Sequence, residues 1–176
     1  MANREALRER QSRLATRLPA ARMEGVSVAW LAVKSAGSHI LLPLGQSGEI
    51  FPLASLQPVP YSQPWFRGVL NIRGGLFGVV DLIGFIESGK DAKRKTVVAA
   101  DACVVTLNPL LEVNCALQVD SLAGLRGADA FVSSSEAPHG SPSYFGHQFV
   151  DKEGVAWQEI DLRTLSQTPQ FLNISA

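Results

Sequence analysis

From Val26 onward the chain is built of short apolar runs of about six residues, separated by glycine, proline, serine and asparagine. Runs of this length that are rich in β-branched residues predict strands, because an amphipathic helix needs a longer periodic segment. Many short strands with little helix favour small β-barrels, since closure removes the exposed edges of a sheet. With 176 residues, 46% of them hydrophobic, the chain can bury one sizeable core or two small cores packed together.

Turn residues mark the predicted strands and short helices. Gly37 and the pair Gly74-Gly75 predict two hairpin turns, and Asp81 is placed to cap a short helix over 82–87. The serine- and proline-rich stretch Ser133–Ser143 predicts a surface loop. The predicted strands lie near 26–34, 38–44, 49–53, 67–72, 76–81, 103–107, 111–119, 144–150 and 155–160.

A weak internal repeat occurs at an offset of 80 residues. Gly74, Val80-Asp81-Leu82 and Phe85 recur as Gly154, Ile160-Asp161-Leu162 and Leu165. Each copy predicts a glycine turn, a strand, an aspartate cap and a helix with apolar anchors. Two similar β subdomains follow from this pattern.

Three regions are predicted along the chain. Residues 1–24 predict a helical extension, because glycine and proline are absent between Ala2 and Leu18 and leucines recur at helical spacing. Residues 25–170 form the β domain with its two intertwined subdomains, and residues 171–176 form a C-terminal tail.

Composition restricts the classes of function. The formal net charge is zero, so no global basic field draws the chain to nucleic acid or to an anionic membrane. No apolar run approaches the ~20 residues of a membrane span, and the arginine-rich start has no apolar secretory core, so we expect a cytoplasmic protein without direct membrane insertion. Cys103 and Cys115 lie in apolar, strand-like surroundings and are predicted to be buried, not metal ligands.

One segment resembles a nucleotide site. Gly84–Lys90 fits the spacing of a phosphate-binding loop, but Asp91 stands where a hydroxyl should bind magnesium, and Phe85 and Ile86 favour a core. A nucleotide-binding protein remains one alternative. A β-barrel nucleic-acid-binding module is another, although the basic residues cluster at 1–22 and 90–95, away from the aromatic residues. Because no nucleophile elbow or histidine pair appears, the prediction is a protein without catalytic residues, cofactors or metal.

The most informative segment runs from Val59 to Leu82. Trp65 and Phe66 follow a proline that restrains their backbone, and Arg73 stands at the end of a strand beside two glycines. Tryptophan and arginine are the side chains found most often as interface anchors. On residue type alone, a core tryptophan and a solvated turn arginine are equally good interpretations.

The pattern P-W-x-x-G-x-x-N-x-R-G-x-x-x-x-V-x-D-L over residues 64–82 resembles the CheW-like chemotaxis coupling proteins. The Pro64-Trp65-Phe66 variant and the arginine-rich extension are most similar to the branch that acts in type IV pilus twitching motility. Glu49-Ile50 and the segment Leu117–Leu122 are similar to two further strands of that family. The glycines at 75 and 78 replace bulkier residues common in the family.

The resemblance implies two five-stranded β-barrels and a scaffolding function without catalysis. The implied partners are the regulatory domain of a CheA-like histidine kinase and the cytoplasmic tip of a methyl-accepting chemoreceptor, with which the chain would sit in membrane receptor arrays. Arg73 is the strongest implied contact. The other implied partner-binding residues are Asn71, Gly74, Trp65, Phe66 and Glu49.

Overall fold

The computed structural model describes residues 28–88 and 98–176, which form eleven strands and a few short helices. The predicted N-terminal helix at 1–24 lies outside the described residues. The strands are β1 Val28–Ser35, β2 Ser38–Pro43, β3 Ser47–Pro52, β4 Phe66–Ile72, β5 Gly75–Asp81, β6 Cys103–Leu107, β7 Cys115–Val119, β8 Ser121–Gly127, β9 Phe131–Ser135, β10 Phe145–Asp151 and β11 Ala156–Ile160. The α-helices are α1 Leu82–Ile86, α2 Leu162–Gln167 and α3 Pro169–Leu172, with 3-10 turns at Pro109–Leu111 and Ala128–Ala130.

The strands form two sheets. The first has the order β8-β1-β2-β11-β10-β9, and the second has the order β3-β6-β7-β5-β4. The chain starts in the first sheet, builds the whole second sheet and then returns to complete the first. The prediction of a mainly β fold is confirmed, and the two sheets are consistent with two subdomains, although one sheet has six strands and not five. Closure of each sheet into a barrel stays a prediction.

The two sheets share one internal plan. The order β10-β11-β2-β1-β8 repeats the order β4-β5-β7-β6-β3, and each run holds one parallel pair, β11 with β2 and β5 with β7. Gly74 and Gly154 both have positive φ, at 86° and 82°. Asp81 and Asp161 both cap the helix that follows. The predicted 80-residue repeat therefore marks two equivalent hairpin-and-helix units.

Each sheet is apolar on both faces. Side chains alternate along a strand, so Val105 enters the cluster that joins the two sheets, while Val104 points into a cluster on the other face of the second sheet. In the first sheet Leu41 likewise joins Ala32 and Trp157 in a cluster on the face away from the second sheet. This arrangement gives a shared core between the sheets and a smaller core on the outer face of each.

The predicted surface loop at Ser133–Ser143 is partly wrong. Its first three residues belong to β9, in which Ser133 pairs with Val150 and Ser135 with Gln148. These serines are exposed, so the strand carries no apolar alternation that sequence reasoning could detect. Strand β8 was also not predicted as a separate strand, because glycines at 124 and 127 interrupt its pattern.

The last residues of the chain pair with the proline-rich connector between β3 and β4. Phe171 is buried, the Gln63 amide donates to the Ile174 carbonyl at 2.8 Å, and the Ala176 amide donates to the Tyr61 carbonyl at 2.9 Å. These bonds hold Tyr61 with a φ of 59° and its ring exposed. Residues 171–176, which the sequence predicts to be a C-terminal tail, therefore form part of this contact.

Both cysteines are buried, as predicted, and desolvation raises the pKa of each thiol to about 12. They are therefore protonated near neutral pH and are poor nucleophiles. No helix in the described ranges is long and apolar enough to cross a membrane. The same ranges hold no cluster of three or more side chains suited to a metal ion.

Candidate functional site

The turn between β4 and β5 carries a strained arginine. Arg73 and Gly74 both have left-handed backbone conformations, with φ of 51° and 86°. Two such residues in a row make the two-residue hairpin turn that matches the twist of the flanking strands. Asn71 stabilises the turn, because its Oδ1 accepts from the Gly74 amide at 3.0 Å. Arginine gains nothing from this backbone conformation, which costs roughly 1–2 kcal/mol for a residue with a side chain.

The Arg73 side chain meets a carboxylate from another strand. Its Nη1 lies 2.9 Å from Oε2 and 3.0 Å from Oε1 of Glu49, which stands on β3. The guanidinium carbon also lies 5.5 Å from the ring centroid of Phe51. The two ionic side chains are 71% and 57% exposed, so the pair stabilises the fold by about 0.2–1 kcal/mol at most. Its main effect is to fix where the positive charge lies.

An apolar groove of about 320 Å³ adjoins this ion pair. Leu70 and Ile72 belong to the small core behind it, and Phe51 packs against the same core. Leu76, which pairs with Asn71 across the hairpin, is 63% exposed. The groove is lined by Phe51, Pro52, Ala54, Leu70, Asn71, Ile72 and Arg73. An apolar floor with a fixed cation at its rim suits a polypeptide that carries apolar side chains and a carboxylate.

The structure brings four of the six predicted site residues together and leaves two apart. Glu49, Asn71, Arg73 and Gly74 lie at one end of the second sheet. Trp65 is only 5% exposed and belongs to the core between the sheets.

Aromatic neighbours hold both remaining residues in place. Trp65 stacks on Phe171 at 6.3 Å and meets Phe85 edge-on at 5.0 Å. Phe66 is half-buried, and its ring occupies the space that a side chain at position 78 would need, since a Cβ there would lie 2.9 Å from the ring. Glycine at 78 therefore accommodates Phe66, and both aromatic residues support β4 from the core side.

Sequence reasoning missed the apolar half of the groove. Phe51 stands two residues after Glu49 on β3, and Leu70 and Ile72 flank Asn71 on β4. The two-residue spacing places Glu49 and Phe51 on the same side of the strand. That spacing was readable in the sequence, but nothing in it indicated that β3 and the β4–β5 turn would meet.

The nucleotide-like segment forms a helix over its described part. Gly84 lies in α1, and its amide donates to Oδ1 of Asp81 at 3.0 Å. Phe85 is buried in the core. Lys90 and Asp91 lie outside the described residues, as do the basic clusters at 1–22 and 90–95. The first turn of α1 is thus already capped by a carboxylate, at the position where a phosphate would have to bind.

Comparison with known proteins gives a consistent result. Residues 29–168 match the model of the CheW-like domain family. Protein PilI of Pseudomonas aeruginosa is 26% identical over 171 residues, which cover 95% of this chain and 91% of that protein. The crystal structure of the scaffolding protein TtCheW from Thermoanaerobacter tengcongensis superposes with a TM-score of 0.65 at 14% identity, covering 82% of this chain and 95% of that one. At that identity the superposition concerns the fold alone.

Proposed function

Because the chain belongs to the CheW-like domain family, we propose that it is a non-catalytic scaffold that couples a chemoreceptor to a histidine kinase. The pathway is of the chemotaxis type, and its output is type IV pilus twitching motility. The site of action is the cytoplasm, at the receptor arrays of the membrane. The likeness to PilI over nearly the whole length of both chains supports the choice of output.

The exposed Arg73 beside the apolar groove carries the proposal. Strained backbone conformations cluster at functional sites, and here the ion pair contributes too little stability to account for the strain. A partner carboxylate that reaches Arg73 would form a charge-assisted hydrogen bond as its apolar side chains fill the groove. Glu49 then orients the guanidinium, and Asn71 and Gly74 shape the turn. Trp65 and Phe66 act from the core by holding β4 in place.

Modest affinity is sufficient for such a scaffold. A dissociation constant in the micromolar range corresponds to ~8 kcal/mol, and clustering of receptors and kinases raises the effective concentration of each partner. A standard interface of ~1,600 Å² with a few well-buried anchors supplies that free energy.

A bridging experiment tests the function. The cytoplasmic tip of the methyl-accepting receptor is immobilised, and the regulatory domain of the CheA-like kinase is passed over it with and without this chain. We expect the kinase domain to be retained severalfold more when the chain is present, since a scaffold binds both partners at once. Equal retention in the two runs would rule out coupling, and binding of only one partner would make the chain an accessory subunit.

A further inference from the structure

The outer face of the first sheet holds a second cavity, far in sequence from the Arg73 groove. Its volume is about 310 Å³, which is at the lower end of the range for small-molecule sites. Trp157 forms part of its wall, and the indole lies in the small core on that face together with Ala32 and Leu41. The cavity therefore lies over the small core of the first sheet, and its aromatic wall, Trp157, is only 3% exposed.

The cations and the carboxylates around this cavity come from different strands. The cations come from one side of the sheet, Lys34 from β1 and Arg126 from β8, which are neighbours. The carboxylates come from the other side of the sheet, with Asp151 at the end of β10 and Glu153 in the turn that follows. Strand β2, with His39, lies between the two groups. The four charges sum to zero, and Arg126 lies close enough to Asp151 to lower the pKa of that carboxyl.

Three of these four charges have no ionic partner among the described residues. The one ion pair within residues 28–88 and 98–176 joins Arg73 and Glu49. Arg126 lies over the ring of Trp157, 5.8 Å from the centroid, which holds it at the cavity wall. Lys34 and Glu153 are exposed and have no side-chain hydrogen bond to a described residue. Lys34 and Glu153 are therefore available to a ligand, and Arg126, which lies over Trp157 and interacts with Asp151, can be shared with one.

The fourth charge, that of Asp151, is hydrogen-bonded within the protein and holds the Trp157 side chain in place. Asp151 Oδ2 accepts from the indole nitrogen of Trp157 at 2.8 Å, and Oδ1 accepts from the amides of Val155 and Glu153 at 2.8 and 3.0 Å. The Trp157 hydrogen bond, with the two backbone bonds and Arg126, lowers the pKa of Asp151 despite its burial. The His39 ring also meets Trp157 edge-on at 4.8 Å. The aromatic wall is therefore preorganised before any ligand arrives.

The Arg73 groove of the second sheet occupies the place equivalent to this cavity, but its cation is paired. There the Arg73 cation also lies over an aromatic ring, but Glu49 neutralises it. In the first sheet the hairpin residue equivalent to Arg73 is Glu153, and the cations of the cavity come from β1 and β8. One hairpin presents a neutralised cation beside an apolar groove, whereas the other borders a cavity lined by charges of both signs.

We propose that this cavity binds a small zwitterion of the α-amino-acid class. The ligand carboxylate would lie between Arg126 and Lys34, the ammonium group would face Glu153, and the side chain would pack against Ala123 and Val155. A ligand with both charges satisfies both sides of the cavity, whereas a simple anion is repelled by the carboxylate side and a simple cation by the arginine side. The volume is suited to a single amino acid more than to a folded partner.

The test is a titration of the isotopically labelled full chain, followed by amide chemical shifts. The twenty standard amino acids are screened singly, with acetate and ethylammonium as probes that carry one charge each. We expect at least one amino acid to shift the amides of Ala123, Arg126 and Val155 at a concentration tenfold or more below that needed for either single-charge probe. The proposal is overturned if no amino acid shifts these amides, or if acetate alone is as effective.

Variants separate the site from non-specific binding. Arg126→Gln and Glu153→Gln should each weaken the binding of that amino acid at least tenfold, because each removes the partner of one ligand charge. Arg163→Gln, an exposed arginine on α2 outside the cavity, is the matched control and should bind as the unmodified chain does. If Arg126→Gln fails to fold, Glu153→Gln at the exposed turn keeps the test decisive. Equal affinity in Glu153→Gln and the control would mean that the ammonium group is not recognised, which also overturns the proposal.

Discussion

At the scale of single residues, Arg73 has two properties that a purely structural role does not explain. Its backbone adopts a conformation that asparagine and glycine tolerate better, and its charge sits on a solvent-exposed ion pair of small energetic value. The surrounding bonds compensate for the strain, because Asn71 closes the turn and Glu49 with Phe51 hold the side chain. We infer that the arginine is kept for contact with a partner.

This inference separates stability from binding. Arg73→Asn creates the Asn-Gly sequence that two-residue turns of this kind prefer, so the free energy of unfolding should stay the same or rise by up to about 1 kcal/mol. Partner binding should fall in the same variant because the charge is lost. Urea denaturation monitored by circular dichroism measures the first effect, and a binding assay measures the second.

A β-branched control tests the strain itself. Arg73→Val removes the same charge but places a stiff side chain in the left-handed region, so it should be about 1–2 kcal/mol less stable than Arg73→Asn. If Arg73→Asn instead loses more than 2 kcal/mol of stability, the arginine has a structural function and the inference is wrong.

At the scale of elements, two aspartates begin two equivalent helices. The carboxylate of Asp81 accepts from the Gly84 amide at 3.0 Å, and that of Asp161 accepts from the Thr164 amide at 2.7 Å. Hydrogen bonds from Thr164 and Gln46 lower the pKa of Asp161, although burial of the group, the largest single influence, opposes them. Both helices bury apolar side chains in the core between the sheets, so the caps direct the chain from the end of an interior strand into that core.

Removal of a cap should cost a measurable part of the stability. We expect Asp81→Ala to lower the free energy of unfolding by about 1 kcal/mol, because the Gly84 amide loses its acceptor in a partly buried position. Asp101→Ala, at an exposed aspartate in a turn, is the matched control and should change stability by less than about 0.5 kcal/mol. Equal losses in the two variants, measured by urea denaturation, would show that the cap has no special role.

The same elements show how far sequence reasoning reaches. Turn glycines, cap aspartates and apolar alternation predicted the β4–β5 and β10–β11 hairpins and both helices, because each signal is local. Strand β9 was beyond prediction from the sequence because its serines are exposed and pair only through their backbones. The groove could not be predicted for a different reason. The contact of Glu49 with Arg73 joins residues 24 positions apart, and only the topology of the sheet brings them together.

At the scale of the whole molecule, the fold presents two chemically different surfaces at equivalent places. The β4–β5 hairpin carries an apolar groove with a fixed arginine, and the β10–β11 hairpin borders a cavity lined by charges of both signs. The two sheets share a core, so both surfaces are held by one rigid body of packed strands. A repeated unit whose copies have diverged at their hairpins is well suited to a protein that holds other molecules in place.

The most direct test of the central claim is the affinity of the chain for each partner when Arg73 is reversed in charge. The dissociation constants of the kinase regulatory domain and of the receptor tip are measured by isothermal titration for the unmodified chain, for Arg73→Glu and for the control Arg163→Glu on the exposed side of α2. We predict that Arg73→Glu keeps its fold and binds at least one partner tenfold or more weakly, while the control binds as the unmodified chain does. Unchanged affinity of folded Arg73→Glu for both partners would contradict the account.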